Sequence, residues 1–251
     1  MNKVHFYREF YEQPGSWDEN VDSEERIPTT LAMIPDGINS ILDVGCGDGT
    51  FLGSMDSGPF KAGLDISHTA LSFVKIELKI QASSYAIPFK ENAFDCIVST
   101  EVLEHLPPAV YEVTLHEIQR VAKRYILISV PFLEDLARKQ TQCSKCGHIF
   151  HIYLHLRSFD LSNLKGIFPN YFLKECRFSG PQEKTFPSWL LKIRRKFGRR
   201  WEWDKNALCP ECGYKSERPP KRSVISVLTS LLAGLTRKRH PKWVSALYEK
   251  K

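Results

Sequence analysis

The sequence predicts an α/β fold: a doubly wound, mostly parallel sheet with an insertion in its C-terminal half. Three observations predict it. Strand-like and helix-like segments alternate between residues 40 and 132. An apolar run, "ILDV", leads straight into a glycine loop. After Phe132 the alternation gives way to a basic, cysteine-bearing stretch. Strands that alternate with helices pair in parallel through crossovers, which places helices on both faces of the sheet.

Residues 1–39 are expected to form an N-terminal helical cap, and residues 40–135 the core. "SILDVGC" is a buried strand that ends at the glycines, and "KAGLDIS" is a second, reached through a short helix around Leu52. "TALSFVKIE" reads as a helix, "KIQAS" as a weak third strand and "FDCIVST" as a fourth after the turn-rich "KENA". Past Pro107–Pro108, apolar Val110, Val113, Ile118 and Val121 recur with Thr114 at helical spacing, with Glu112 early and Lys123–Arg124 at the end. "YILISVPF" is a fully apolar fifth strand. Residues 136–240 read as a basic lid interleaved with a core strand near 171–179, "YFLKECRFS", after a helix-like "DLSNLKGIF". Residues 241–251, with "KWVSALYEK", supply a final core strand.

Composition narrows the class. With 42% apolar residues in 251, the chain can build one sizeable core, which excludes wholesale disorder. The first residues carry no apolar run of signal-peptide length, and the longest apolar stretch, Val224 to Leu235, is too short and too interrupted to span a bilayer. The seven cysteines are therefore expected as cytosolic thiols or metal ligands rather than disulfides, and the protein as cytoplasmic. The net charge of +6 hides an asymmetry: residues 1–135 hold 10 Lys+Arg against 21 Asp+Glu, whereas residues 136–251 hold 25 against 8. An acidic half joined to a basic half suggests two jobs.

The glycine loop, "GCGDG", sets Asp43 before it and Asp48 within it, with no Lys or Arg in the stretch. A pyrophosphate would meet repulsion there, and Thr50 stands where a dinucleotide fold needs its last glycine. No Gly-Lys-Ser/Thr follows, so a P-loop is excluded. S-adenosylmethionine, with a sulfonium, an ammonium and no phosphate, suits acids and close-approaching backbone. Asp65 ends the second strand 20 residues beyond Gly45, placed to accept ribose hydroxyls, with Ile66 beside it to pack on adenine. Over roughly residues 40–132, through "LDVGCGDGTF", "GLDIS", "AIPFKENAFDCIVSTEVLEHL" and "YILISVPF", the chain resembles the class I S-adenosylmethionine-dependent methyltransferases. The resemblance implies a Rossmann-like sheet of seven strands. It also implies a cofactor site drawn from Asp43, Gly45, Cys46, Gly47, Asp65, Ile66, Ser83, Ser84 and Glu101. Ser83 stands where this family often carries an acid for the adenine amino group.

Cys143-x-x-Cys146-Gly and Cys209-x-x-Cys212-Gly repeat one turn that points two thiolates inward, and two such turns complete a tetrahedral zinc site. Four thiolates leave no open position, so this zinc is expected to be structural, tying a lid over the carboxyl edge of the sheet. A mixed site using His148 or His151 is the alternative. Cys46, Cys96 and Cys176 also read as small buried apolar groups.

Methyl transfer needs in-line approach and a site that excludes water, and a base assists. Candidate bases follow the fourth strand (Glu101, Glu104, His105) and the fifth (His148, His151, His155), with His148 and His151 favoured. His105 reads as a fold-supporting residue ahead of a base, and His151 and His155, four apart, could equally lie on one helical face. There is no Asn/Asp-Pro-Pro-Tyr/Phe stretch of a nucleobase-amine methylase and no Pro-Cys nucleophile. An O-directed or simple N-directed small-molecule or glycan acceptor fits better. "PSWLLKIRRKFGRRWEWDK" and the amphipathic Val224–Leu235 admit three readings: packing on the lid, contact with a membrane surface, or RNA binding. The whole-chain pattern is similar to enzymes of cell-surface glycan assembly. The rivals are an RNA methyltransferase and a zinc-stabilised binding module with a non-catalytic core.

Overall fold

The computed structural model describes residues 10–12, 23–55, 58–76, 78–184, 187–197, 201–215, 224, 227–229, 232 and 239–251. The elements of the core are α1 (Ser23–Leu31), β1 (Ser40–Val44), α2 (Thr50–Gly53), β2 (Phe60–Asp65), α3 (His68–Phe73) and β3 (Leu78–Gln81). They continue with β4 (Phe94–Thr100), α4 (Pro108–Val121) and β5 (Ala122–Pro131). The C-terminal half adds β6 (Gln140–Gln142), β7 (Ile149–His151), α5 (Leu161–Gly166), β8 (Tyr171–Lys184), α6 (Ser188–Lys196) and β9 (Arg239–Lys250).

Seven strands form one sheet in the order β3-β2-β1-β4-β5-β9-β8. The pairs among β1 to β5 are parallel, and β9 runs antiparallel to both β5 and β8. Side chains alternate across it. Leu42, Ile97, Ile126 and Ile128 face a core closed by α4 through Leu115, Ile118 and Val121. Ile41, Cys96, Val98 and Leu127 face the other layer, with Ile27, Met33, Phe51 and Leu52. The doubly wound class follows from strands buried on both sides.

Strand order reverses between β1 and β4, the switch point at which an open α/β sheet opens a crevice beyond its strand ends. The loops that matter leave this edge: Gly45–Gly49 after β1, Ile66–Ser67 after β2, Glu101–Leu106 after β4 and Phe132–His155 after β5. The last loop holds the β6–β7 hairpin, with Gln140 paired to His151. This corrects the reading of His151 and His155 as one helical face: His151 ends a strand and His155 lies in the loop beyond it. Helix α3 also ends at Phe73, short of the predicted span, because Val74 turns to an extended conformation.

Candidate active site

The switch point opens into a cavity of about 830 Å³. One wall is the glycine loop. Gly45 sits at φ 81°, and a Cβ there would lie 2.3 Å from Cγ2 of Val102, so only glycine lets the loop close on the turn after β4. Gly45 and Cys46 both donate their N–H to the carbonyl of Leu64, which pins the loop to β2. Gly47 donates its N–H to Oδ2 of Asp65 at 2.9 Å, and Ser67 donates its own to Oδ1 at 2.8 Å. The carboxylate is thus held at the tip of β2, on the cavity wall. Burial raises its pKa, against the pull of these N–H groups.

Asp43 is placed differently from the sequence expectation. It is 1% exposed, beneath the loop, and does not line the cavity. Neither of its oxygens has a hydrogen-bond partner. Burial, reinforced by the charge of Asp65 and opposed by Arg26, pushes its pKa up to about 7. An unsatisfied buried carboxylate behind a bare backbone loop is a fit for a cationic group. Ile66, Ser83, Ser84 and Glu101 line the same cavity. Ser84 exchanges a 2.9 Å hydrogen bond with Thr114. Glu101 carries φ 56°, an uncommon value for a non-glycine residue, and donates its N–H to Ser129. Cys46 is 6% exposed, and its sulfur packs where a side chain on Gly63 would go.

The histidines separate. His105 and His155 line the cavity, with ring centroids 4.6 Å apart. His151 stacks on His155 at 4.7 Å, is buried, and is absent from the cavity wall. Burial first, then the neighbouring His155, lowers its pKa to about 3. Buried Glu134 accepts from Nδ1 of His155 at 2.5 Å and pairs with Lys139 at 2.9 Å. Burial works to raise its pKa, but the hydrogen bond from His155 and the charge of Lys139 outweigh it and hold the pKa at about 2. His148 is exposed, stacked against Phe150 on the hairpin, and the structure does not bring it to the cavity.

Residues 42–127 match the family model of a methyltransferase domain. The crystal structure of an S-adenosylmethionine-dependent methyltransferase from Archaeoglobus fulgidus is similar over 100% of both chains, with a TM-score of 0.53 at 18% identity. Residues 42–127 form a methyltransferase domain. Its likeness to curated proteins is partial. An uncharacterised protein of Methanocaldococcus jannaschii is 32% identical over 136 residues, 53% of this chain and 59% of that one. A tRNA (carboxymethyluridine(34)-5-O)-methyltransferase of Arabidopsis thaliana is 32% identical over 110 residues, 42% of this chain and 27% of that one. The match therefore spans less than two thirds of the length of either relative.

Beside the methyltransferase core, Cys143, Cys146, Cys209 and Cys212 converge, with all four sulfurs within 4.8 Å of one another. Two pairs, Cys143–Cys212 and Cys146–Cys209, lie 3.6 Å apart. A zinc–thiolate tetrahedron with bonds of about 2.3 Å has edges of about 3.8 Å, so the cluster has the right size. The two turns are twins. Gly147 and Gly213, at φ 76° and 67°, each donate to the first cysteine's carbonyl at 2.9 Å. The cluster sits among Phe150, Ile152, Leu154 and Ala207. Asp204, Lys205 and Asn206, which line the cavity, immediately precede the second turn.

Several cavity residues were missed from sequence: Phe10, Tyr11, Arg26, Glu134, Lys139 and Trp243. The aromatic run "HFYREFY" was a signal for the first two. Glu12 beside them caps α3, accepting 2.9 Å hydrogen bonds from the N–H groups of His68 and Thr69. The other four come together only through long-range packing.

Proposed function

We propose that the protein is an S-adenosylmethionine-dependent methyltransferase acting on an oxygen of a small-molecule or glycan acceptor. One observation carries the reading: the Asp65 carboxylate, held by the N–H groups of Gly47 and Ser67 on the wall of a cavity whose other wall is the glycine loop, with the partnerless Asp43 carboxylate buried beneath that loop. The Gly45–Gly47 backbone would hold the amino-acid end of the cofactor, with the charge of Asp43 beneath it, Asp65 the ribose diol, and Ile66, Ser83 and Ser84 the adenine. Bound there, the sulfonium supplies an already activated methyl group. The chain's task is then to orient the acceptor and exclude water.

A cavity of about 830 Å³ lies toward the upper end of the range of small-molecule sites, which leaves room for an acceptor beside the cofactor. Its polar wall, with Lys139, His155, Lys205 and Lys242 set among Glu134, Glu183 and Asp204, suits a hydroxylated acceptor. Of the candidate bases, His105 is the histidine at the acceptor; of the two favoured from sequence, His151 acts behind it by packing on His155, and His148 has no part in the chemistry. The four cysteines hold a structural zinc, which fixes Asp204–Asn206 against the cavity. No helix of the described residues is long and apolar enough to cross a membrane. Trp189 and Phe197, 55% and 59% exposed on a helix rich in Arg and Lys, fit contact with an anionic membrane surface and so a lipid-linked acceptor. Most of Val224–Leu235 lies outside the described residues; of those described, Val224, Val227, Leu228 and Leu232 are exposed.

The test is transfer of labelled methyl from S-adenosylmethionine to fractionated cell extract. Label is expected in small-molecule or glycan fractions. Label confined to RNA would replace the acceptor class with the alternative that the Arabidopsis relative's name suggests. Label no greater than with an Asp65→Ala variant would remove the catalytic reading.

A further inference from the structure

A second ligand set lies at the carboxyl ends of β4 and β5, apart from the cysteines. Glu104 is 0% exposed, and neither carboxylate oxygen has a hydrogen-bond partner. His105 donates to the backbone carbonyl of Tyr153, and its Nδ1 is buried without a partner. His155 commits its Nδ1 to Oε2 of Glu134, which leaves Nε2 for the cavity that the ring lines. One ligand atom from each of Glu104, His105 and His155 lies within 4.8 Å of the others. Each imidazole is anchored at one nitrogen by a carbonyl or a carboxylate, which fixes its ring and leaves the other nitrogen for a ligand. A buried carboxylate completes the set. Glu101, whose Oε1 is also buried and partnerless, adds negative charge nearby. Acceptors buried in this way are costly unless a cation faces them. Lys139 does not fill that role, since it is paired with Glu134 and Glu183 at 2.9 and 3.1 Å. Arg26 acts on Glu104 through its charge, but neither Glu104 oxygen accepts a hydrogen bond from it.

We propose that Glu104, His105 and His155 bind a divalent transition-metal ion, with Glu134 orienting His155 from behind and open coordination positions facing the cavity. Two imidazole nitrogens and carboxylate oxygen select Mn²⁺, Fe²⁺, Co²⁺ or Zn²⁺ over Ca²⁺. The overlapping trio of Glu134, His151 and His155 is the support and not the site. Nδ1 of His151 accepts from the N–H groups of Tyr153 and His155 at 3.3 and 3.2 Å, so its proton sits on Nε2 and that lone pair is not available. Oε1 of Glu134 is held by Lys139. An ion at the cavity wall would polarise an acceptor oxygen and favour its ionised form. The site itself stands on geometry and does not require the methyl-transfer reading.

The test uses the full chain with its cysteine cluster loaded with zinc, titrated with Mn²⁺ and followed by electron paramagnetic resonance. One Mn²⁺ per chain is expected, with a rise in melting temperature. Glu104→Gln should weaken binding by more than tenfold, and Glu134→Gln by about 10–100-fold, because His155 loses the carboxylate that orients its ring. Replacing Mn²⁺ by Co²⁺ should give visible bands without thiolate charge transfer, which distinguishes this site from the cysteines even if a variant fails to fold. No Mn²⁺ binding by the unaltered protein, binding unchanged in Glu104→Gln, or Co²⁺ bands of thiolate character alone would overturn the proposal.

Discussion

Asp43 shows how much one buried carboxyl decides. With its folded-state pKa raised from 3.8 to about 7, it binds more protons folded than unfolded across that window. The ligand-free protein should therefore lose this contribution to stability as pH rises through the window, the reverse of a salt-bridged acid. Asp43→Asn should flatten that slope in melting temperatures measured across it; an unchanged slope would show that other groups dominate. A bound cation favours the ionised form, so cofactor affinity should rise with pH in wild type and not in Asp43→Asn. Gly45 is the second decisive residue. Gly45→Ala combines φ 81° with a 2.3 Å approach to Val102, and strain of this kind costs about 1–3 kcal/mol. Denaturant unfolding of the double variant Gly45→Ala/Val102→Ala should recover part of the loss, because the contact is relieved and the dihedral is not.

At the scale of elements, the outcome divides by how local the cause is. β1, β2, β4 and β5 were legible because each centres on a short apolar run and ends near a glycine, an acid or a proline. The three-residue strands of the β6–β7 hairpin were not: they are too short for periodicity, and they exist because the cysteine turn between them folds the chain back. β8 extends past the predicted residue 179 to Lys184 because β9 begins early, at Arg239, and pairs beyond a bulge between Ser179 and Gln182. Gly180 makes that bulge, at φ 81°, and a Cβ there would lie 2.4 Å from the Trp243 ring. No pattern in the sequence announces it, because the reason is a tryptophan on another strand. Gly180→Ala should cost about 1–3 kcal/mol in denaturant unfolding. It should also weaken ligand binding, since Trp243 lines the cavity. A neutral substitution would mean that the bulge does not set the ring's position.

Across the whole molecule, two sequence-distant cysteine turns meet beside the cavity. Cysteine spacing announced the convergence of the four sulfurs, whereas the Glu104–His105–His155 set draws on segments after two different strands and is visible only in three dimensions. If zinc ties the lid, Cys209→Ser should lose about one zinc per chain and open residues near 201–215 to proteolysis. The core from β1 to β5 should remain folded, and unaltered protease sensitivity after zinc loss would separate the metal from the lid. The acidic core and basic C-terminal half fit this division of labour, one holding a cation and the other facing an acceptor. The central claim is that the cavity at the β1–β4 switch point receives S-adenosylmethionine. Calorimetric titration tests it most directly. The account predicts one S-adenosylmethionine bound per chain, with binding lost in Asp65→Ala. No heat with S-adenosylmethionine, or binding of a nicotinamide dinucleotide in its place, would contradict it.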